Sequence, residues 1–131
     1  MTLTVLDANV IIAAGNHTDS FHDAALAHLR AAVRRGDLGM AELTLAEVLV
    51  EPYRSGTVEE RNGFLDAIGV KPLALGAGSF RRLARLRAET GLKMPDAVVL
   101  HTTLSEDAEL VTFDRRLAAE ARGRGVTVHD T

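Results

Sequence analysis

The chain has 131 residues, 47% apolar and 25% charged, with 15 basic and 18 acidic side chains and a net charge of −3. That length suits one domain over residues 1–131, able to bury roughly two-thirds of its unfolded surface, and the composition is globular rather than disordered. No cysteine is present, which excludes disulfides, thiolate metal sites and cysteine nucleophiles.

Leu3 to Leu6 is a short β-type run that ends at Asp7. Residues 8–14 read as a short helix stopped by Gly15, and Asn16 to Ser20 as a polar loop. Phe21, Ala25, Leu29, Ala32 and Val33 then recur at helical spacing up to Gly36. Leu38 to Leu43 is a weaker strand. Thr44-Leu45-Ala46-Glu47 matches a capping box opening a helix whose end Pro52 and Gly56 frame. Thr57 offers another N-cap before Phe64, Leu65 and Ile68, and Val70 to Leu75 is a third β-like run despite Pro72. Ser79 begins an amphipathic helix with Phe80, Leu83, Ala84 and Leu86 on one side and Arg81, Arg82, Arg85 and Arg87 on the other. Pro95 suits a first helical turn, and Ala97 to Leu100 is apolar all round, as in a buried helix. Leu110 to Phe113 reads as a strand, Asp114 to Ala121 as a helix and Val126 to Val128 as a last strand. The alternation implies an α/β domain with a mostly parallel sheet covered on both faces. The amino terminus has no basic start, and Asp7 and Asn9 interrupt its apolar stretch. It therefore reads as neither signal peptide nor membrane span, and a cytoplasmic protein is expected.

Asp7, Glu47, Asp96 and Asp114 each stand where an apolar run gives way to a helix start. In an open α/β sheet such junctions line the carboxyl edge, where ligands bind. Four ionised carboxylates brought together there repel one another and raise one another's pKa. Their usual counter-charge is Mg²⁺ or Mn²⁺. Asn9 and Thr112, at i+2 and i−2, return to the same face as the acids they accompany and are supporting candidates. Each acid also has a plain structural explanation. Thr44 with Glu47 makes a cap, Asp96 suits a helix dipole, and Asp7 and Asp114 suit N-caps. The net charge is not that of a protein relying on a basic face for nucleic acid. Yet 13 of the 15 basic residues are Arg, the side chain suited to bidentate phosphate contacts. Arg115 and Arg116, beside Asp114, are the candidate phosphate contacts, whereas the Arg81 to Arg87 face reads as solvated. No histidines stand at i,i+4 spacing, which argues against a zinc hydrolase.

The segments VLDANVII, LTLAEVLVEP, MPDAVVLHTTL and ELVTFDRRL resemble, in order, the four signature blocks of the PIN domain. More narrowly they resemble the toxin ribonucleases of VapBC-type toxin–antitoxin pairs, over residues 3 to about 117. The resemblance implies a three-layer α/β/α sandwich and an endoribonuclease dependent on Mg²⁺ or Mn²⁺. It places the metal and catalytic site on Asp7, Glu47, Asp96 and Asp114, with Asn9 and Thr112 in support. It further implies hydrolysis leaving a 5′-phosphate and a 3′-hydroxyl, a small cognate antitoxin and a homodimer. His101 stands where the family more often has a small apolar residue, and it is expected to be a hydrogen-bonded core histidine.

Two other carboxylate enzymes fit poorly. A phosphotransfer receiver needs an acidic pair after its first strand and a late lysine, whereas Lys71 and Lys93 both precede Asp96. A haloacid-dehalogenase-type phosphatase needs an acid where Asn9 stands. A stand-alone RNA-processing nuclease and a non-catalytic binding module of the same fold remain as alternatives.

Overall fold

A computed structural model describes residues 2–130. The chain runs β1 (Thr2–Leu6), α1 (Ala8–Ala14), α2 (His22–Arg35), β2 (Gly36–Ala41), α3 (Glu42–Ser55) and α4 (Val58–Ala67). It continues through β3 (Val70–Leu73), α5 (Ser79–Thr90), α6 (Met94–Ser105), β4 (Glu109–Val111), α7 (Arg115–Gly123) and β5 (Val128–His129). The sheet order is β3-β2-β1-β4-β5, and all four pairings are parallel. Alternation along β1 sends Leu6 to a core beneath α1 to α4, built with Val10, Leu29, Met40, Val48 and Val111. Val5 goes to the opposite core with Val99, Leu100, Leu110 and Leu117, under α5 to α7. The result is the expected α/β/α sandwich. Among the described residues no helix is long and apolar enough to cross a membrane.

Strand order decides where a ligand can sit. From β1 the chain winds outward to β2 and β3, then returns to place β4 on β1's other side. The reversal leaves a crevice between β1 and β4 at their carboxyl ends, where connections depart in opposite directions. Asp7 follows β1 directly, and its N–H donates to the Val111 carbonyl at 3.0 Å. The crevice therefore opens on Asp7 from one side and on the segment after β4 from the other.

Several local expectations change in the folded chain. Strand β2 ends at Ala41 and α3 starts at Glu42, so Leu43 is helical. The Thr44–Glu47 capping box does not form: Ala41 is the N-cap, without a side-chain cap bond. Thr44 is buried one turn before Val48, and its hydroxyl has no hydrogen-bond partner. Burial of that i,i+4 pair sets the helix phase, and the phase overrides the cap motif. Thr57 occupies the N-cap position of α4, but its hydroxyl pairs with Ser55 Oγ at 2.9 Å instead of capping. Pro52 lies inside α3, which continues to Ser55, with Gly56 closing it at φ +75°. Pro72 is accommodated because β3 is an edge strand with only β2 beside it. Strand β3 ends at Leu73, two residues short of the expected run. Strand β4 ends at Val111, so Thr112 and Phe113 lie in the loop, and β5 is Val128–His129 rather than 126–128. His101 is a core residue as expected, its Nε2 shared between the Leu75 carbonyl (3.3 Å) and Ser105 Oγ (3.4 Å).

Candidate metal centre

Asp7 is buried and held at both carboxylate oxygens. Oδ1 accepts from the Ala8 N–H at 2.7 Å, and Oδ2 accepts from Thr112 Oγ1 at 2.7 Å. The Thr112 hydroxyl in turn accepts from the Asp114 N–H at 3.0 Å. One threonine thereby ties the end of β1 to the start of α7. Asn9 Oδ1 accepts from the Phe113 N–H at 3.3 Å, a second tie across the same crevice. Both polar companions thus orient backbone and carboxylate at the acidic edge. Asp114 caps α7 through Oδ1, which accepts from the Leu117 N–H at 2.9 Å. Asp7 and Asp114 therefore both serve as N-caps through Oδ1, as the plain structural explanation expects.

Glu47 lies in the second turn of α3 and is exposed, while Asp96 stands in the first turn of α6 and is half-buried. Each acid stands within electrostatic reach of at least one other. Burial pushes Asp7 up to about 6, opposed by its two hydrogen bonds and assisted by repulsion from Asp96 and Asp114. Asp96 is raised by burial and then by Asp114, with Lys93 and Arg116 acting against this. Glu47 is raised by partial burial and then by Asp96. Repulsion therefore links all four acids in one network. They do not already form a cage: among the described residues no three carboxylate or imidazole side chains stand at ion-sharing spacing.

The donor set suits Mg²⁺ or Mn²⁺. It offers hard oxygens alone, and the raised carboxyls are those a divalent charge would return to the ionised form.

The two arginines read as phosphate contacts differ. Arg116 Nη2 donates to the Thr90 carbonyl at 2.8 Å, running over Gly91. Arg115 is exposed and makes no hydrogen bond or ion pair among the described residues. In the Arg81 to Arg87 face, Arg81 lies over the Phe80 ring at 5.5 Å, Arg85 pairs with Glu89 at 3.4 Å, and Arg87 Nε donates to the Leu92 carbonyl. The solvated-face reading fits those contacts. Lys93, the N-cap residue of α6 and three positions before Asp96, is a counter-charge to it that sequence reasoning missed although the i,i+3 spacing carries the signal.

The profile of the PIN domain matches residues 4–122. Among solved structures, the chain is similar to VapBC2 from Rickettsia felis bound to a promoter DNA fragment, at 18% identity over 98% of each chain, with a TM-score of 0.75. It is also similar to VapC20 of Mycobacterium tuberculosis, described as a toxin cleaving the sarcin–ricin loop, at 16% identity over 89% of this chain and 94% of that one (TM-score 0.73). FitAcB from Neisseria gonorrhoeae is 16% identical over 95% of both chains, with a TM-score of 0.68. At these identities the likeness is one of fold. No curated protein sequence matches the chain.

Proposed function

The chain belongs to the PIN domain family, and from that premise we propose that it is a divalent-metal-dependent endoribonuclease and the toxin of a toxin–antitoxin pair. The observation that carries this is the joining of Asp7 and Asp114 through Thr112 at the β1/β4 crevice, with Asp96 within electrostatic reach of both and Glu47 within reach of Asp96. The toxin reading is supported by the fold shared with VapBC2 and with VapC20. Its partners are then a small antitoxin and a second copy of the chain, and its setting is the cytoplasm.

Asp7, Asp96 and Asp114 supply the oxygens that would hold Mg²⁺ or Mn²⁺. When bound, the ion supplies Lewis-acid polarisation of the scissile phosphate and lowers the pKa of water. Thr112 fixes the Asp7 carboxylate through its hydrogen bond to Oδ2, and Asn9 holds the Phe113 backbone beside it. Glu47, with its carboxyl raised by partial burial and by Asp96, takes the proton from the attacking water at Oε. Attack on phosphorus in line with the 3′-oxygen breaks that P–O bond, the departing oxygen takes a proton from solvent, and a 5′-phosphate and a 3′-hydroxyl are left. Arg115, which has no hydrogen-bond or ion-pair partner among the described residues, meets the phosphate backbone beside Asp114.

Purified protein incubated with single-stranded or looped RNA should cut it with Mg²⁺ or Mn²⁺ and not in EDTA. Asp96→Asn should lose cutting while its circular dichroism spectrum stays native. Undiminished cutting in EDTA, or by Asp96→Asn, refutes the proposal.

A further inference from the structure

The turn between α1 and α2 carries Phe21 onto Phe113. The two rings stack with centroids 4.6 Å apart and planes 11° from parallel. Phe113 is half-buried, packs on the apolar core, and meets the tilted ring of His28 at 6.0 Å. Phe21 is the outer ring and is 38% exposed. Its backbone is fixed on both sides: its N–H donates to Asp19 Oδ1 at 2.8 Å, and its carbonyl accepts from the Ala25 N–H at 2.8 Å. The neighbouring His22 is anchored through Nδ1 to the Ala13 carbonyl at 2.9 Å.

The pair walls an open depression of about 520 Å³, completed by Arg115, Ala119, Arg122 and Asp130. Arg122 is engaged there by Asp130, at 3.0 and 2.9 Å. Arg115 has no such partner among the described residues, and it adjoins Asp114 on one side as Phe113 does on the other. An outward aromatic face and a guanidinium without a partner among the described residues therefore line one depression, whose Phe113 and Arg115 flank Asp114 along the chain. A ring that only closed the core would gain by being covered on both faces; Phe21 instead presents one to solvent beside a cation.

We infer that Phe21, backed by Phe113, is a stacking platform for one base of a single-stranded RNA whose neighbouring phosphate is gripped by Arg115. The inference rests on the nuclease reading above and adds where the strand lies on the surface. Stacking on an aromatic face is tolerant of base identity, since every base has a π-face, and it combines with cationic contacts to the backbone in single-strand binders. Arginine is the side chain whose fork matches a phosphate. Fixing Phe21 through its backbone lowers the ordering cost when a base arrives.

The chain contains no tryptophan, so Phe21→Trp places a single fluorescent indole at the platform. Its emission is to be followed on rapid mixing, with Mg²⁺ present, with an RNA hexanucleotide and with a hexamer of the same backbone lacking bases. Saturable quenching by the first and not the second is expected. Equal quenching by both, or by neither, overturns the inference. In parallel, Phe21→Leu keeps an apolar side chain without the π-face. Its KM for RNA cleavage should rise about five- to fiftyfold, with kcat and melting temperature close to the parent's. An unchanged KM in an active enzyme overturns the platform and leaves the nuclease standing. Failure of the parent protein to cut any RNA overturns the nuclease reading, and the fluorescence result then decides the platform alone.

Discussion

Asp7 is the residue whose perturbation says most about the site. Its carboxyl is buried and raised from an ordinary 3.8 to about 6, a difference of about two pKa units, or about 3 kcal/mol. For an acid raised on folding, the stabilising contribution is complete below the unfolded pKa and is lost as pH rises through the folded one. Above pH 6 the folded protein without metal bears the full cost of about 3 kcal/mol, and on going from pH 7.5 to 5 roughly 1.4 kcal/mol of it is recovered. Glu47 and Asp96, also raised, act in the same direction. Asp7→Asn removes the charge and keeps the shape, while losing about 1 kcal/mol of hydrogen bonding to Thr112 and the Ala8 N–H. The net expectation in EDTA at pH 7.5 is a gain of about 2 kcal/mol, or about 6–10 °C in melting temperature for a domain of this size. The assay is thermal melting of both proteins at pH 7.5 and pH 5, in EDTA and in Mg²⁺. In EDTA the variant's advantage should shrink at pH 5. Mg²⁺ at a hundred times its dissociation constant should add about 2.7 kcal/mol to the parent, and far less to the variant. If Asp7→Asn melts at or below the parent in EDTA at pH 7.5 with a native circular dichroism spectrum, the burial and repulsion reasoning is wrong.

Thr112→Val removes the hydroxyl between Asp7 and the Asp114 N–H. It should reduce RNA cleavage by about ten- to a hundredfold and, in EDTA melts, steepen the stability gain on acidification, because a hydrogen bond lowering the Asp7 pKa is gone. Gly36→Ala would place a Cβ 2.2 Å from the Thr2 carbonyl oxygen, forcing β1 and β2 apart. A loss of about 3 kcal/mol or more is expected by urea denaturation. Arg115→Gln should weaken RNA binding for all sequences alike and lower the slope of log affinity against log salt by about 1, read by fluorescence anisotropy.

Some of this was legible in the order of residues. Asp7, Asp96 and Asp114 stand beside strand ends or helix starts because short polar residues cap helices, and wound α/β folds put those junctions on one edge. Strand and helix order followed from runs of apolar residues, which report burial locally. The Thr44–Glu47 box is a local pattern too, yet burial of Thr44 and Val48 set the phase of α3 and displaced Glu47 into the second turn.

What the linear chain determined by itself was the set of acids, the alternating elements and the domain family, since each is written in neighbouring residues. Only the tertiary structure decided that β4 returns beside β1, that Thr112 reaches Asp7, and that Phe21 lies on Phe113. It also set Arg116 against the Thr90 carbonyl and left Arg115 without a partner among the described residues. These are pairings between distant positions, chosen by which faces the sheet and helices bury against one another, and no local pattern encodes them. The raised carboxyl of Asp7 has the same origin, because desolvation is a property of what surrounds a group in space.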